Sequence, residues 1–452
     1  MINLTDIKQV YLIGIGGIGM SGLARYFYQK GFLVSGYDKT STPLTQALEQ
    51  EGIAVSYQDD SSLIPSQFQQ KNAETLIIYT PAIPKDSVVF NHFKNAGFDI
   101  YKRSQVLGIL SKDAFTVAVA GTHGKTTTST LIAHLLQVGG MDCSAFLGGI
   151  STNYNTNLLI GESNVMVVEA DEYDRSFLTL HPNIAVVTSM DADHLDIYGA
   201  EEHLHESFKL FTNQIKESGK LIYKEGLPLG KGTTYGISTS AQAKALNIRI
   251  ANRKFYFDFD NEFIYLRNLE LGLPGQHNIE NAVAAIEVAL ALDINPDLIR
   301  EGLASFKGVK RRFEYLVQTQ NHVYIDDYAH HPEELKACFK AVRSLYPDKK
   351  MTVIFQPHLF SRTRDFLDNF AEILGTADDL LLMEIYPARE LPIAGVTSSA
   401  LAEKIKGTNI TVCNHQSALS LIKNKQPELL LTVGAGDIDT LVLPLKNMLV
   451  NA

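Results

Sequence analysis

The stretch VAVAGTHGKTTTSTLIAHLL, residues 117–136, reads as a strand, a glycine loop and a helix in succession. Gly124, Lys125 and Thr126 form the Gly-Lys-[Ser/Thr] core of a phosphate loop at a strand-to-helix junction. In such loops backbone amides cradle the phosphates, the lysine reaches the β- and γ-oxygens, and the neighbouring hydroxyl serves Mg²⁺. The common spacing G-x-x-x-x-G-K-[ST] would place glycine at 119, where this chain has Val119. The loop is therefore read as a G-T-x-G-K-T variant led by Gly121, running through Thr122, His123 and on to Thr127. An α/β domain that binds a nucleoside triphosphate follows from this.

A phosphate loop needs acids to hold its metal. VMVVEADEYDRSF (165–177) presents Glu169, Asp171 and Glu172 at the end of an apolar run, where α/β sheets bind ligands. Hard cations prefer carboxylate oxygen, so Glu169 is the favoured Mg²⁺ ligand. TSMDADHLDIYG (188–199) adds Asp191, Asp193 and His194, the last a candidate for a second metal.

Further apolar runs, QVYLI (9–13), TLIIY (75–79), FTVAVA (115–120) and IAVVTSM (184–190), read as buried parallel strands between helices. HVYID (322–326), MTVIFQ (351–356), DDLLLME (378–384) and ELLLTVG (428–434) repeat the pattern. Residues 227–270 differ: alternating patterns such as KFYFDFD predict antiparallel hairpins inside the central domain. At 452 residues the chain exceeds what one core usually serves, so two or three domains are expected.

A second glycine loop stands in YLIGIGGIGMSG (11–22), where Gly14, Gly16 and Gly19 match G-x-G-x-x-G. Together with Gly17 and Ile18 it would bring backbone against a pyrophosphate at a helix N-terminus. Asp38 closes the next strand, FLVSGYD, where a ribose-binding carboxylate is expected. Alone, this loop suits a nicotinamide-dependent oxidoreductase, and other pyrophosphate ligands such as UDP-sugars fit the same shape.

Composition narrows the classes. Hydrophobic residues make up 45% and charged residues 20%, as in ordinary globular enzymes. A net charge of −10 argues against a generic nucleic-acid binder. Cys143, Cys338 and Cys413 show no metal-ligand spacing and read as free thiols of a reducing compartment. With no apolar run near the ~20 residues of a membrane span, a cytoplasmic location is expected.

Ten segments then appear in order: GIGGIGMSGLA, AGTHGKTTT, EADEYDRSFL, DADHLDIYG, PGQHNIENAVAA, KRRFE, DDYAHHPEE, FQPHLFSRTRDF, IYPARE and VGAGDI, from residue 14 to 438. As a set they resemble the Mur ligases across nearly the whole chain. The resemblance implies a Rossmann-like UDP-substrate domain (1–103), a P-loop ATPase domain (104–312) and a Rossmann-like amino-acid domain (313–452). It implies an ADP-forming ligase with ATP and Mg²⁺, joining L-alanine to UDP-N-acetylmuramate through an acyl phosphate, as monomer or homodimer.

By the same resemblance, ATP contacts fall to Gly121, Thr122, His123, Gly124, Lys125, Thr126 and Thr127, with Asn281 on the adenine side. Arg312 reaches the nucleotide phosphates, and Asp327, with Asp326 beside it, serves the ribose. Thr126, Glu169 and His194 hold metal. Gly14, Gly16, Gly17, Ile18, Gly19 and Asp38 take the UDP moiety, and His330, His358 and Arg362 surround the amino acid. Lys125 and His330 are the catalytic candidates, the latter as base. Leu359 departs from the family, in which many members carry arginine. Rival readings are a ligase that recycles a murein tripeptide, an oxidoreductase built on the first loop, and a non-catalytic nucleotide switch.

Overall fold

The computed structural model describes residues 4–191, 198, 201–388 and 390–450. Its first sheet holds β1 (Gln9–Ile13), β2 (Leu33–Tyr37), β3 (Ala54–Ser56), β4 (Thr75–Tyr79) and β5 (Ile100–Lys102), all parallel, in the order β3-β2-β1-β4-β5. The strand order reverses beside β1, and ligands of such sheets bind at that reversal. Helix α1 (Ile18–Gln29) leaves β1 there, followed along the chain by α2 (Pro43–Gln50), α3 (Val88–Asn95) and α4 (Arg103–Asp113). β1 is apolar on both faces because both are covered: Val10 and Leu12 join one core cluster, Tyr11 and Ile13 another.

The second sheet holds β6 (Phe115–Ala120), β7 (Ser144–Ser151), β8 (Thr156–Leu159), β9 (Val165–Glu169), β10 (Ile184–Val187), β11 (Lys220–Lys224), β12 (Thr233–Gly236), β13 (Ala243–Ala251), β14 (Lys254–Asp260) and β15 (Tyr265–Leu271). Their order is β15-β14-β13-β12-β11-β10-β6-β9-β7-β8. Helix α5 (Lys125–Val138) follows β6 and is buried from Thr126 to Leu136, so it sits inside the fold and not on its surface. The hairpins expected over 227–270 form only in part. β12 pairs parallel with both β11 and β13, extending the parallel sheet before the two-residue Asn252–Arg253 link turns the chain back.

The third sheet holds β16 (Glu314–Gln318), β17 (Val323–Asp327), β18 (Met351–Phe355), β19 (Asp379–Met383), β20 (Asn409–Cys413) and β21 (Leu429–Val433), in the order β16-β17-β21-β18-β19-β20. Only β16 runs antiparallel, at the edge against β17. Its core gathers Tyr324, Ile354, Met383, Leu430 and Ile438.

By internal contacts the chain forms two compact units. One comprises 1–246, 259–266 and 280–303; the other 247–258, 267–279 and 304–452. The first sheet lies wholly in the first unit, the third in the second. Among the described residues no helix is long and apolar enough to cross a membrane.

Candidate functional site

In the first unit, β6 delivers the phosphate loop. Gly121 has φ +138, and a methyl group on it would stand 2.1 Å from Thr188 Oγ1. Gly124 (φ +82) is the left-handed N-cap of α5, and a methyl there would stand 2.9 Å from Asn281 Oδ1. The loop thus runs where only glycine fits. The end of β10 braces it: Ser189 Oγ accepts from His123 N at 2.7 Å and lies 2.9 Å from Thr122 Oγ1. Thr188 Oγ1 donates to the His123 carbonyl. Asn281, on the helix Gln276–Ala291, stands beside the loop.

Lys125 opens α5 with its ammonium folded back. Nζ donates to Gly121 O at 2.5 Å and to Glu172 Oε1 at 2.8 Å. Burial would lower its pKa, but Glu172, Glu169 and Asp171 outweigh burial and raise it, so the charge is held firmly. β9 lies next to β6 with Val119 paired to Glu169, which sets the acids beside the loop. The three carboxylates have separate jobs. Glu169 abuts Gly148, whose added methyl would stand 2.1 Å from Oε2; Asp171 Oδ2 lies 3.3 Å from Arg103 Nη2; Glu172 holds Lys125.

Among the described residues no group of three or more His, Cys, Asp or Glu side chains could hold a metal unaided. Thr126 and Glu169, one hydroxyl and one carboxylate around a loop shaped for phosphates, suit a hard cation that takes its other ligands from phosphate oxygens and water. His194 and Asp193 lie outside the described residues.

The first glycine loop is also in this unit. Gly14 N donates to Tyr37 O at 2.7 Å, and Gly16 N donates to Asp38 Oδ2 at 2.8 Å, so Asp38 clamps the loop it was expected to assist. A cavity of about 240 Å³ connects the loop to the acids: Gly17, Ile18 and Gly19 line it together with Arg103, Asn157, Glu169 and Asp171. Arg103 and Asn157 escaped the sequence reading. Asn157 Nδ2 donates to Ile18 O at 2.6 Å, while its Oδ1 accepts from Arg25 Nη1 at 2.7 Å. One arginine after a strand and one asparagine in a turn-rich segment carry no local pattern.

In the second unit, β17 ends in two aspartates with different fates. Asp326 is fully buried, taking Thr432 Oγ1 at 2.6 Å and Arg311 Nε at 3.1 Å. Asp327 accepts backbone amides of Phe313 and Ala329, each at 2.7 Å. Burial pushes its pKa up to about 6, against the pull of Arg312. Arg311 and Arg312 each lie 5.2 Å from the Tyr328 ring centre.

The expected amino-acid residues do meet. His330 and His358 have ring centres 5.8 Å apart, and Arg362 Nη1 lies 3.3 Å from His358 Nδ1. Burial lowers the His330 pKa, and Glu334 only partly restores it. His358 is lowered to about 4 by burial, by His330 and by Arg362. Both rings are neutral near pH 7, and His330 Nδ1 is committed to Tyr328 O at 2.9 Å. Leu359, next after His358 in the chain, has φ +72, a conformation that costs a side-chain-bearing residue about 1–3 kcal/mol. Its amide donates to Tyr386 O at 2.9 Å and its carbonyl accepts from Thr363 N at 3.2 Å, so the backbone of position 359 shapes the turn.

Three family models match the chain: the Mur ligase family catalytic domain over 9–114, the Mur ligase middle domain over 119–289, and the Mur ligase glutamate ligase domain over 311–436. The chain is 49% identical over 455 residues to a UDP-N-acetylmuramate–L-alanine ligase of Cytophaga hutchinsonii, covering 98% of this chain and 97% of that protein. It is 49% identical over 448 residues to the ligase of the same name from Flavobacterium psychrophilum, with 99% of each covered. The crystal structure of the UDP-N-acetylmuramate–alanine ligase of Thermotoga maritima superposes with a TM-score of 0.80 at 25% identity, over 98% of each chain.

Proposed function

The chain belongs to the Mur ligase family, and from that premise we propose how its residues join L-alanine to the lactoyl carboxylate of UDP-N-acetylmuramate with ATP, a step in peptidoglycan precursor synthesis. The observation that carries this reading is the single cavity bounded by the first glycine loop and by Glu169, on the strand next to the phosphate loop. A sugar nucleotide seated on Gly14–Gly19 directs its carboxylate toward the γ-phosphate of a nucleotide seated on Gly121–Thr127.

A carboxylate is a poor electrophile. Phosphorylation by ATP converts it to an acyl phosphate, whose leaving group is phosphate. Lys125 neutralises charge that builds on the transferring phosphoryl group, a contribution worth about 3 kcal/mol or more at comparable sites. Mg²⁺, when bound by Thr126 and Glu169, with His194 as the further ligand the family implies, supplies neutralisation of the phosphate oxygens. The family resemblance assigns Asn281 to the adenine, Arg312 to the phosphates and Asp327 to the ribose. His358 and Arg362 hold the alanine carboxylate.

Alanine arrives as an ammonium ion and must lose a proton before its nitrogen attacks the acyl carbon. His330, kept neutral by burial, accepts it. The tetrahedral intermediate then collapses to amide and phosphate. Domain boundaries near 103 and 312, a cytoplasmic location and a monomeric or dimeric state belong to the same reading.

The decisive experiment measures phosphate release from UDP-N-acetylmuramate, ATP and Mg²⁺ against a panel of amino acids and a murein tripeptide. Stimulation by alanine is expected. Stimulation by the tripeptide alone, or by no acceptor, overturns the proposal.

A further inference from the structure

Arg103 opens α4 directly after β5 and contributes the positive charge in the lining of the 240 Å³ cavity, which also exposes the carboxylates of Glu169 and Asp171. Its guanidinium lies over the first turn of α1: a methyl on Gly19 would stand 2.5 Å from Nη1. Gly17 caps that helix with no side-chain hydrogen bond. The first turn of α1 and the guanidinium therefore line the same cavity. A side chain at the third glycine of the G-x-G-x-x-G motif would push the arginine away.

The present partner of Arg103 is replaceable. Asp171 Oδ2 stands 3.3 Å from Nη2, at the long end for a charged pair, with 39% of the Asp171 side chain exposed. Such a pair contributes little, whereas a phosphate matches the planar fork of an arginine with two parallel hydrogen bonds.

We propose that Arg103 anchors the sugar nucleotide by gripping its pyrophosphate beside the first turn of α1, releasing Asp171 as it does so. This rests on the ligase reading above and adds a residue to it. The cavity without Arg103 would present two carboxylates and helix amides to a doubly charged ligand. With it, the charge is matched.

The test is calorimetric binding of UDP-N-acetylmuramate and of UDP to the full chain without ATP, followed by steady-state kinetics. Arg103→Ala should weaken both ligands by about ten- to a hundred-fold, the loss of one charge-assisted contact. KM for the sugar nucleotide should rise with it, while KM for ATP stays put. Arg103→Lys should recover part of the affinity, and Asp171→Asn should tighten UDP. If Arg103→Ala proves unstable to heat, Gly19→Ala, which crowds the same guanidinium, carries the same expectation. UDP affinity unchanged in Arg103→Ala overturns the proposal. So does a loss confined to UDP-N-acetylmuramate, which would make the guanidinium a reader of the lactoyl carboxylate. A wild-type chain that binds neither ligand removes the ligase reading itself, a result distinct from either.

Discussion

Lys125 and Glu172 form a closed ion pair at the mouth of the phosphate loop, Nζ 2.8 Å from Oε1, with the Glu172 side chain only 1% exposed. The carboxylate and the Gly121 carbonyl occupy the ammonium where nucleotide oxygens would be expected to meet it. Glu172 belongs to the same acidic segment as Glu169, yet its charge serves the lysine.

Replacing Lys125 by Met removes the phosphate contact and also takes the lysine from a buried carboxylate. ADP release should fall at least a hundred-fold, for a lost electrostatic contact of about 3 kcal/mol. Stability should fall measurably as well, since Glu172, 1% exposed, loses its lysine. Lys125→Met/Glu172→Gln should recover most of the melting temperature and none of the turnover. A double variant no more stable than the single one contradicts the pairing.

Gly121→Ala places a methyl 2.1 Å from Thr188 Oγ1 at a φ of +138. The loop must move, so ADP affinity should drop by more than ten-fold, with a stability loss of about 1–2 kcal/mol from the backbone conformation alone. Titration with ADP followed by thermal melting reads both. Wild-type ADP affinity in this variant would refute the cradle.

Asn157→Ala takes the partner of the buried Arg25 Nη1, at a cost of about 1–3 kcal/mol, while the Ile18 carbonyl keeps Ser21 Oγ at 2.9 Å. Urea unfolding should show that loss. Because the first turn of α1 is no longer tied to β8, KM for the sugar nucleotide should rise several-fold while KM for alanine holds. Equal changes in both would point to general loosening instead.

His134, buried with Nδ1 2.8 Å from Tyr154 Oη, has its pKa lowered by burial from 6.5 to about 4. Between those values the unfolded chain binds more protons than the folded one. The stability that the neutral ring contributes is therefore whole above pH 6.5 and declines as pH falls toward 4. His358 acts in the same direction. Asp327, raised to about 6, acts in the other: its contribution is lost as pH rises through 6. His134→Gln should lose less melting temperature than wild type on moving from about pH 7.5 to about pH 5. Parallel pH slopes for the two proteins would refute the assignment.

Much of the fold was legible because parallel strands buried on both faces are written as unbroken apolar runs. QVYLI, TLIIY and FTVAVA became β1, β4 and β6 residue for residue. The stretch 227–270 was misread in part because alternation reports one covered face and does not report strand direction. β12 carries turn residues around it and still pairs parallel on both sides. In the first unit the phosphate loop and the placing of Glu169 beside it were legible from motifs, and in the second the resemblance anticipated that His330, His358 and Arg362 lie near one another. The division of labour among Glu169, Asp171 and Glu172 was not, since neighbouring acids look alike until a lysine selects one.

What the chain's residues determined alone were the loops: glycines where backbone must pass closest to phosphate, with Lys125 and Thr126 one and two places on. Those features are local, fixed by the conformations that short segments can adopt. Only the folded structure decided that Asp38 would clamp its own loop, that Arg103 would lie over Gly19, and that Asn157 would hold α1 from a strand more than a hundred residues away. Such contacts join segments remote in the chain through single side chains, and a lone side chain leaves no periodic trace in the sequence that carries it.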